Sequence, residues 1–165
     1  ADASSAARYL GGSFACLYLA PYNYHRIHMP CDAVLRATRY VPGELFSVNA
    51  ATARAVSDLF ARNERVVCDF DTDDGPLCLV LVGALFVGSI ETVYAGEINP
   101  PPARGGEVRT LNEGLGRKFA RGEELGRFNM GSTVIVLTGR QVAFAPRVQP
   151  AEPVRMGQLL ARFAA

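Results

Sequence analysis

The sequence predicts a mainly β domain of the α+β kind, a barrel-like or sandwich arrangement of short strands with one helix near residues 49–63. Three observations predict it. Short runs of β-branched and aromatic residues recur along the chain, and glycine and proline punctuate them at close intervals. Only one stretch has a helical composition. Hydrophobic residues make up 49% of the 165, enough for a single core, which excludes a disordered or collagen-like chain.

Ser13 to Leu19 (SFACLYL) reads as a first strand, and Ala20-Pro21 leads from it into an irregular segment from Tyr22 to Pro30. Cys31 to Tyr40 is a second strand that ends at the turn signal Val41-Pro42-Gly43. Asn49 to Asn63 is the helix: Asn49 is a capping residue, four alanines follow, and Val56, Leu59 and Phe60 share a face. Arg65 to Thr72 and Leu77 to Ile90 flank Asp73-Asp74-Gly75-Pro76 and read as a hairpin, with a break near Gly83 before a further strand. Residues 99–122 are a turn-rich loop with no lasting apolar period. It carries Arg104, Arg109, Arg117, Lys118 and Arg121, read as a solvated basic loop. Glu123 to Asn129, Thr133 to Leu137 and Gln141 to Phe144 are short strands, and Val154 to Phe163 closes the chain as a strand or short helix.

A formal net charge of +1 provides no field for nucleic acid. The longest uncharged stretch, Gly75 to Ile90, falls short of the roughly 20 apolar residues of a spanning helix. No basic segment followed by an apolar run opens the chain, so no signal peptide is expected. Cys16, Cys31, Cys68 and Cys78 form no C-x-x-C pattern and read as buried, reduced thiols, favouring a cytosolic face.

Chemistry is expected at two places. His25 and His28 stand three apart in YHRIHMP, and one helical turn would place both imidazoles on one side, as an acid/base pair, a metal pair or two structural histidines. A third ligand at a recognisable spacing is missing, so no metal is expected. Met130-Gly131-Ser132-Thr133 breaks two apolar strands, and its plain reading is a polar turn. Its chemical reading is an N-to-O acyl shift, in which Ser132 Oγ attacks the carbonyl of Gly131, a residue whose missing Cβ tolerates strained geometry. A histidine that takes the hydroxyl proton and later the Cα proton would let the ester eliminate to dehydroalanine, which loses ammonia to leave a pyruvoyl group.

The strings YHRIHMPCDAVL (from Tyr24), PGELFSVN (from Pro42), LFARNERVV (from Leu59), VGALFVGSIETVYAG (from Val82) and KFARGEELGRFNMGSTVIVL (from Lys118) resemble bacterial-type phosphatidylserine decarboxylase proenzymes, in that family's order. The resemblance runs from about Gly12 to the end. It implies a single catalytic core that cuts itself at Gly131-Ser132, within an L-G-S-T motif whose Leu is here Met130. The products would be a β chain of residues 1–131 and an α chain of residues 132–165. The covalent pyruvoyl cofactor made from Ser132 would form a Schiff base with phosphatidylserine and accept the electron pair left by carbon dioxide, giving phosphatidylethanolamine. His28 would be the histidine of the Asp-His-Ser self-cleavage triad, and His25 the acid or positioning group for decarboxylation. The implied partners are phosphatidylserine and the two cleaved chains, with a homodimer as a further expectation. The implied location is the cytoplasmic face of the cell membrane, held peripherally.

The family's P-x-D-G-type motif, which carries the triad aspartate, does not occur before Tyr24, so a fragment lacking the family's N-terminal part and its membrane-docking helices is expected. Loss of that carboxylate costs about 10⁴ in rate in a related triad, and Asp32 does not sit at its position. Three alternatives stand beside this reading: an unprocessed, inactive relative, a pyruvoyl decarboxylase of a soluble amino acid, and a lipoyl-type carrier whose only lysine would be Lys118.

Overall fold

The computed structural model describes residues 3–84, 89–98, 106–129 and 132–164. A short helix, α1 (Ala3–Ala7), precedes β1 (Ser13–Leu19), β2 (Arg26–His28) and β3 (Ala33–Val41). Two short helices follow, α2 (Ala50–Ala55) and α3 (Leu59–Arg62), then the hairpin of β4 (Arg65–Thr72) and β5 (Gly75–Val82). Next come β6 (Ile90–Thr92), β7 (Gly96–Glu97), β8 (Arg109–Leu111), β9 (Lys118–Phe119) and β10 (Glu124–Phe128). The chain ends with β11 (Ser132–Thr138), β12 (Val142–Phe144) and β13 (Ala161–Phe163).

Among the described residues these strands form an open seven-stranded sheet in the order β1-β11-β5-β4-β3-β8, with β9 also on β3. A four-stranded sheet runs β2-β10-β6-β7, and β12 pairs only with β13. Leu35, Phe70, Leu79 and Leu81 of the large sheet share one buried cluster with Ile27, Met29, Ile90, Leu125 and Phe128 on and beside the small one. The architecture is therefore sandwich-like, with free edges at β1 and β8 rather than a closed barrel. On β3 a bulge between Leu35 and Ala37 moves the buried positions from Ala33 and Leu35 to Thr38 and Tyr40. One extra residue is what such a change of phase requires in a period-two element.

The expected helix is present as two short ones. Asn49 caps α2, its side chain accepting from the Thr52 N–H at 2.9 Å. No α2 residue is buried, so nothing anchors a longer helix. The chain turns extended at Val56 and left-handed at Asp58 (φ 54°) before α3 starts. The hairpin closes through Asp73 and Asp74 with Thr72 opposite Gly75, which adopts φ 109°.

Three expectations are corrected. The segment from Tyr22 to Pro30 is not wholly irregular, because β10 recruits Arg26–His28 as a strand. The basic loop contributes β8 and β9 to the edge of β3. Within it the Arg109 and Arg117 guanidinium groups lie over the Tyr40 and Phe119 rings, each 4.7 Å from the centroid; Arg104 lies outside the described residues. Cys68 and Cys78 are buried as expected, but strand alternation turns Cys16 outward with Phe14 and Tyr18.

Candidate active site

Two strand pairings position the residues of the site. Leu19 ends β1 directly opposite Ser132, the first residue of β11. The chain then turns at Ala20–Asn23, where the Asn23 N–H donates to the Ala20 carbonyl at 2.8 Å, and reaches His25. The His25 carbonyl accepts from the Phe128 N–H at 3.1 Å, which continues the β2–β10 ladder by one residue. The segment between β1 and β2 is thus tied to β11 at its start and to β10 at its end. Ser132 pairs with the first end of that segment and His25 lies near its other end.

The extended backbone sets the facing of each side chain. From residue 24 to 29, exposure alternates: Tyr24 and Arg26 are exposed, Ile27 and Met29 are buried, and His25 and His28 are both half-buried. His25 falls on the Ile27 side, and both its ring nitrogens are out of contact with solvent. His28 falls on the Tyr24 side. The side-by-side pair that one helical turn would make is therefore replaced by two imidazoles on opposite faces, because β10 holds this segment as a strand. That separation also prevents the two rings from clasping one ion.

Ser132 and Thr133 are fully buried. Among the described residues, the buried side-chain polar atoms without a hydrogen-bond partner are His25 Nδ1 and Nε2, Ser132 Oγ and Thr133 Oγ1. An unsatisfied buried group costs about 1–3 kcal/mol, and native interiors contain few of them. Here they fall on the serine and one of the histidines that the sequence singles out, and on Thr133 beside that serine.

His28 has both nitrogens engaged. Nδ1 lies 2.8 Å from the Gly122 carbonyl oxygen and Nε2 2.7 Å from the Tyr24 hydroxyl. The junction before Ser132 is tied down at Asn129, whose side-chain amide donates to Ser89 Oγ and to Glu91 Oε1. These bonds, with the Arg127 guanidinium, hold the Glu91 carboxyl below the usual range and hence ionised. Burial pushes the Cys68 thiol up to about 12 and the Cys78 thiol well above its ordinary value, so neither supplies a thiolate at neutral pH. Asp32 accepts from the Arg121 N–H at 2.7 Å, a turn contact. Thr133, Tyr24, Gly122, Ser89 and Asn129 escape a reading of residue types, since their parts depend on neighbours far away in sequence. Met130 and Gly131 lie outside the described residues.

The sequence profile described as phosphatidylserine decarboxylase matches residues 1–162. The chain belongs to the phosphatidylserine decarboxylase family. Similar relatives are the phosphatidylserine decarboxylase proenzymes of Pseudomonas paraeruginosa, 54% identical over 97% of this chain and 56% of the relative, and of Variovorax paradoxus, 54% identical over 99% and 58%. The proenzyme of Ectopseudomonas mendocina is 53% identical over 96% of this chain and 56% of its own length. The chain thus spans a little over half the length of the curated relatives it matches. Within the described residues of this family member, no helix is long and apolar enough to cross a membrane.

Proposed function

We propose that this chain is the self-cleaving core of a phosphatidylserine decarboxylase, cut at Gly131–Ser132 into residues 1–131 and 132–165, and that it converts phosphatidylserine to phosphatidylethanolamine at the cytoplasmic face of the membrane. The observation that carries the proposal is the unpartnered Ser132 Oγ, buried opposite Leu19, where the segment that leads to His25 begins. A hydroxyl held for structure has a partner; one held as a nucleophile is kept free for its electrophile.

The resemblance to the family assigns the steps to these residues, with the Tyr24 hydroxyl first giving up His28 Nε2. His28 accepts the Ser132 hydroxyl proton as Oγ attacks the Gly131 carbonyl carbon, and the C–N bond breaks to leave an ester and a free amine. Loss of the Ser132 Cα proton expels the Gly131 carboxylate and gives dehydroalanine, and water replaces the imine nitrogen, releasing ammonia. Ser132 fits the resulting pyruvoyl group, because its side chain already lies buried with nothing bound to it. That group would supply a ketone able to join the substrate amine and draw electrons from the breaking carbon–carboxylate bond. His25, on the buried face with both nitrogens unengaged, orients the substrate carboxylate and returns a proton to its carbon.

The test is release of labelled carbon dioxide from vesicles containing phosphatidylserine, compared with free serine. The proposal expects release from the lipid alone. Turnover of free serine with none of the lipid would make this a decarboxylase of a soluble amino acid, and no turnover of either would make it an inactive relative.

A further inference from the structure

We infer that three rigid turns beside the candidate site, with Tyr22, Leu115 and Arg121 at their tips, form a docking surface for an anionic lipid bilayer; this rests on the reading of a phospholipid substrate. Tyr22 is 89% exposed, at a turn position where glycine, asparagine or aspartate is the usual occupant. The turn is not loose. The Asn23 N–H donates to the Ala20 carbonyl at 2.8 Å, the Ala20 N–H donates to Asn23 Oδ1 at 2.8 Å, and Ala20 itself is buried. An aromatic ring is thus held out in water on the segment that begins opposite Ser132 and leads to His25. Tyrosine is a residue that settles at the headgroup level of a bilayer, its ring in apolar material and its hydroxyl in water.

The other two turns flank β9, which pairs with the start of β3. Residues 114–117 close with the Arg117 N–H donating to the Gly114 carbonyl at 2.9 Å, and the Leu35 carbonyl takes the Gly116 N–H at 2.9 Å. Residues 120–123 close with the Glu123 N–H donating to the Ala120 carbonyl at 3.0 Å, and the Gly122 N–H donates to the Met29 carbonyl at 2.8 Å. Gly116 and Gly122 take φ 76° and 82°, as a type II turn requires of its third residue, which leaves Leu115 and Arg121 exposed at the second. Contacts join these turns to the first: the His28 ring reaches the Gly122 carbonyl through Nδ1 and the Tyr24 hydroxyl, two residues past Tyr22, through Nε2. Between the two turns Lys118 lies opposite the exposed Val34. Arg26 is spent on Glu124 and Arg117 on Glu123, whereas among the described residues Lys118 and Arg121 have no ion-pair partner. The acids nearby are Asp32, a short side chain tied to the Arg121 N–H, and Glu113, which precedes the Leu115 turn. Long cations reach past such groups to lipid phosphates while apolar tips enter the headgroup layer, which is the composition of a surface that lies on a membrane.

The test uses the full chain carrying Ser132→Ala, so that it stays uncut, and vesicles of phosphatidylcholine with or without phosphatidylglycerol, neither of which is the proposed substrate. The chain has no tryptophan, so Tyr22→Trp and Phe144→Trp each place a single reporter, one at the first turn and one on the β12–β13 hairpin. With anionic vesicles the emission of Tyr22→Trp should move to the blue while that of Phe144→Trp stays in place. Sedimentation with those vesicles should fall about fivefold for Lys118→Gln and for Arg121→Gln, the usual worth of one cation at such a surface, and hardly at all for Arg162→Gln on β13. Tyr22→Ser should weaken it severalfold. No sedimentation with the anionic vesicles, an equal loss in Arg162→Gln and Arg121→Gln, or a blue shift in Phe144→Trp without one in Tyr22→Trp overturns the surface. With Ser132 intact, Tyr22→Ser should need severalfold more vesicle lipid for half-maximal carbon dioxide release and turn over phosphatidylserine in detergent micelles as before. Vesicle binding with no carbon dioxide release from either form upholds the surface and overturns the decarboxylase reading; release from micelles by a chain that ignores vesicles does the reverse.

Discussion

Buried polar groups in and around the large sheet and at the candidate site are treated in opposite ways. Asn63, fully buried between α3 and β4, has its side-chain amide donating to the Phe46 carbonyl at 2.8 Å and the Gly83 carbonyl at 2.9 Å. Its oxygen accepts from the Phe46 N–H at 3.1 Å. Asp69 on β4 takes the Tyr9 hydroxyl and the Arg39 guanidinium. At the candidate site, the Ser132 and Thr133 hydroxyls are as deeply placed and hold nothing, and the ring nitrogens of the half-buried His25 hold nothing either. Where polar atoms serve the fold, the fold satisfies them; the unsatisfied ones mark where it has left room for chemistry.

The comparison is broken most severely at Ser132. Ser132→Ala should leave an uncut chain with no reducible ketone and no decarboxylation, measured by intact mass and carbon dioxide release. His28→Ala should likewise block cleavage, whereas His25→Ala should still cleave and then lose on the order of 10²–10⁴ in turnover, the usual worth of a general acid or base. The reverse pattern would exchange the two roles. On the structural side, Asn63→Ala strands three backbone groups and should lower unfolding stability by roughly 3 kcal/mol in urea titrations. Thr133→Val replaces an unpartnered hydroxyl with a methyl of the same shape and should raise stability by about 1 kcal/mol. A loss there would mean that Thr133 has a partner after all.

The smallest expected effect is that of pH on the tie at Glu91. Its carboxyl is depressed in the fold by the Asn129 amide and then by Arg127, so its contribution is fully present above the unfolded glutamate value. It is lost only as pH falls through the lower, folded value. The stability difference between the chain and its Glu91→Gln variant should therefore be constant at neutral pH and shrink in acid.

Much of this was legible in the residues themselves. SFACLYL alternates and becomes β1, the Asp-Asp-Gly-Pro signal becomes the β4–β5 turn, and Asn49 caps a helix. The helix divides because alanines that bury nothing cannot carry it through Val56, Ser57 and Asp58, residues of poorer helix propensity. β2 was hidden because three residues carry no period of their own and pair with β10, distant in sequence. The serine and both histidines stood out by type and spacing. Their opposite facings did not, since a three-residue spacing puts side chains together on a helix and apart on a strand.

The most direct measurement of the central claim is the intact mass of the purified chain, with and without borohydride reduction. Two chains split between Gly131 and Ser132, the smaller beginning with a reducible group and lighter than a serine-ended peptide by the lost ammonia, are what the free Ser132 hydroxyl predicts. One uncut chain that borohydride leaves unchanged would contradict it.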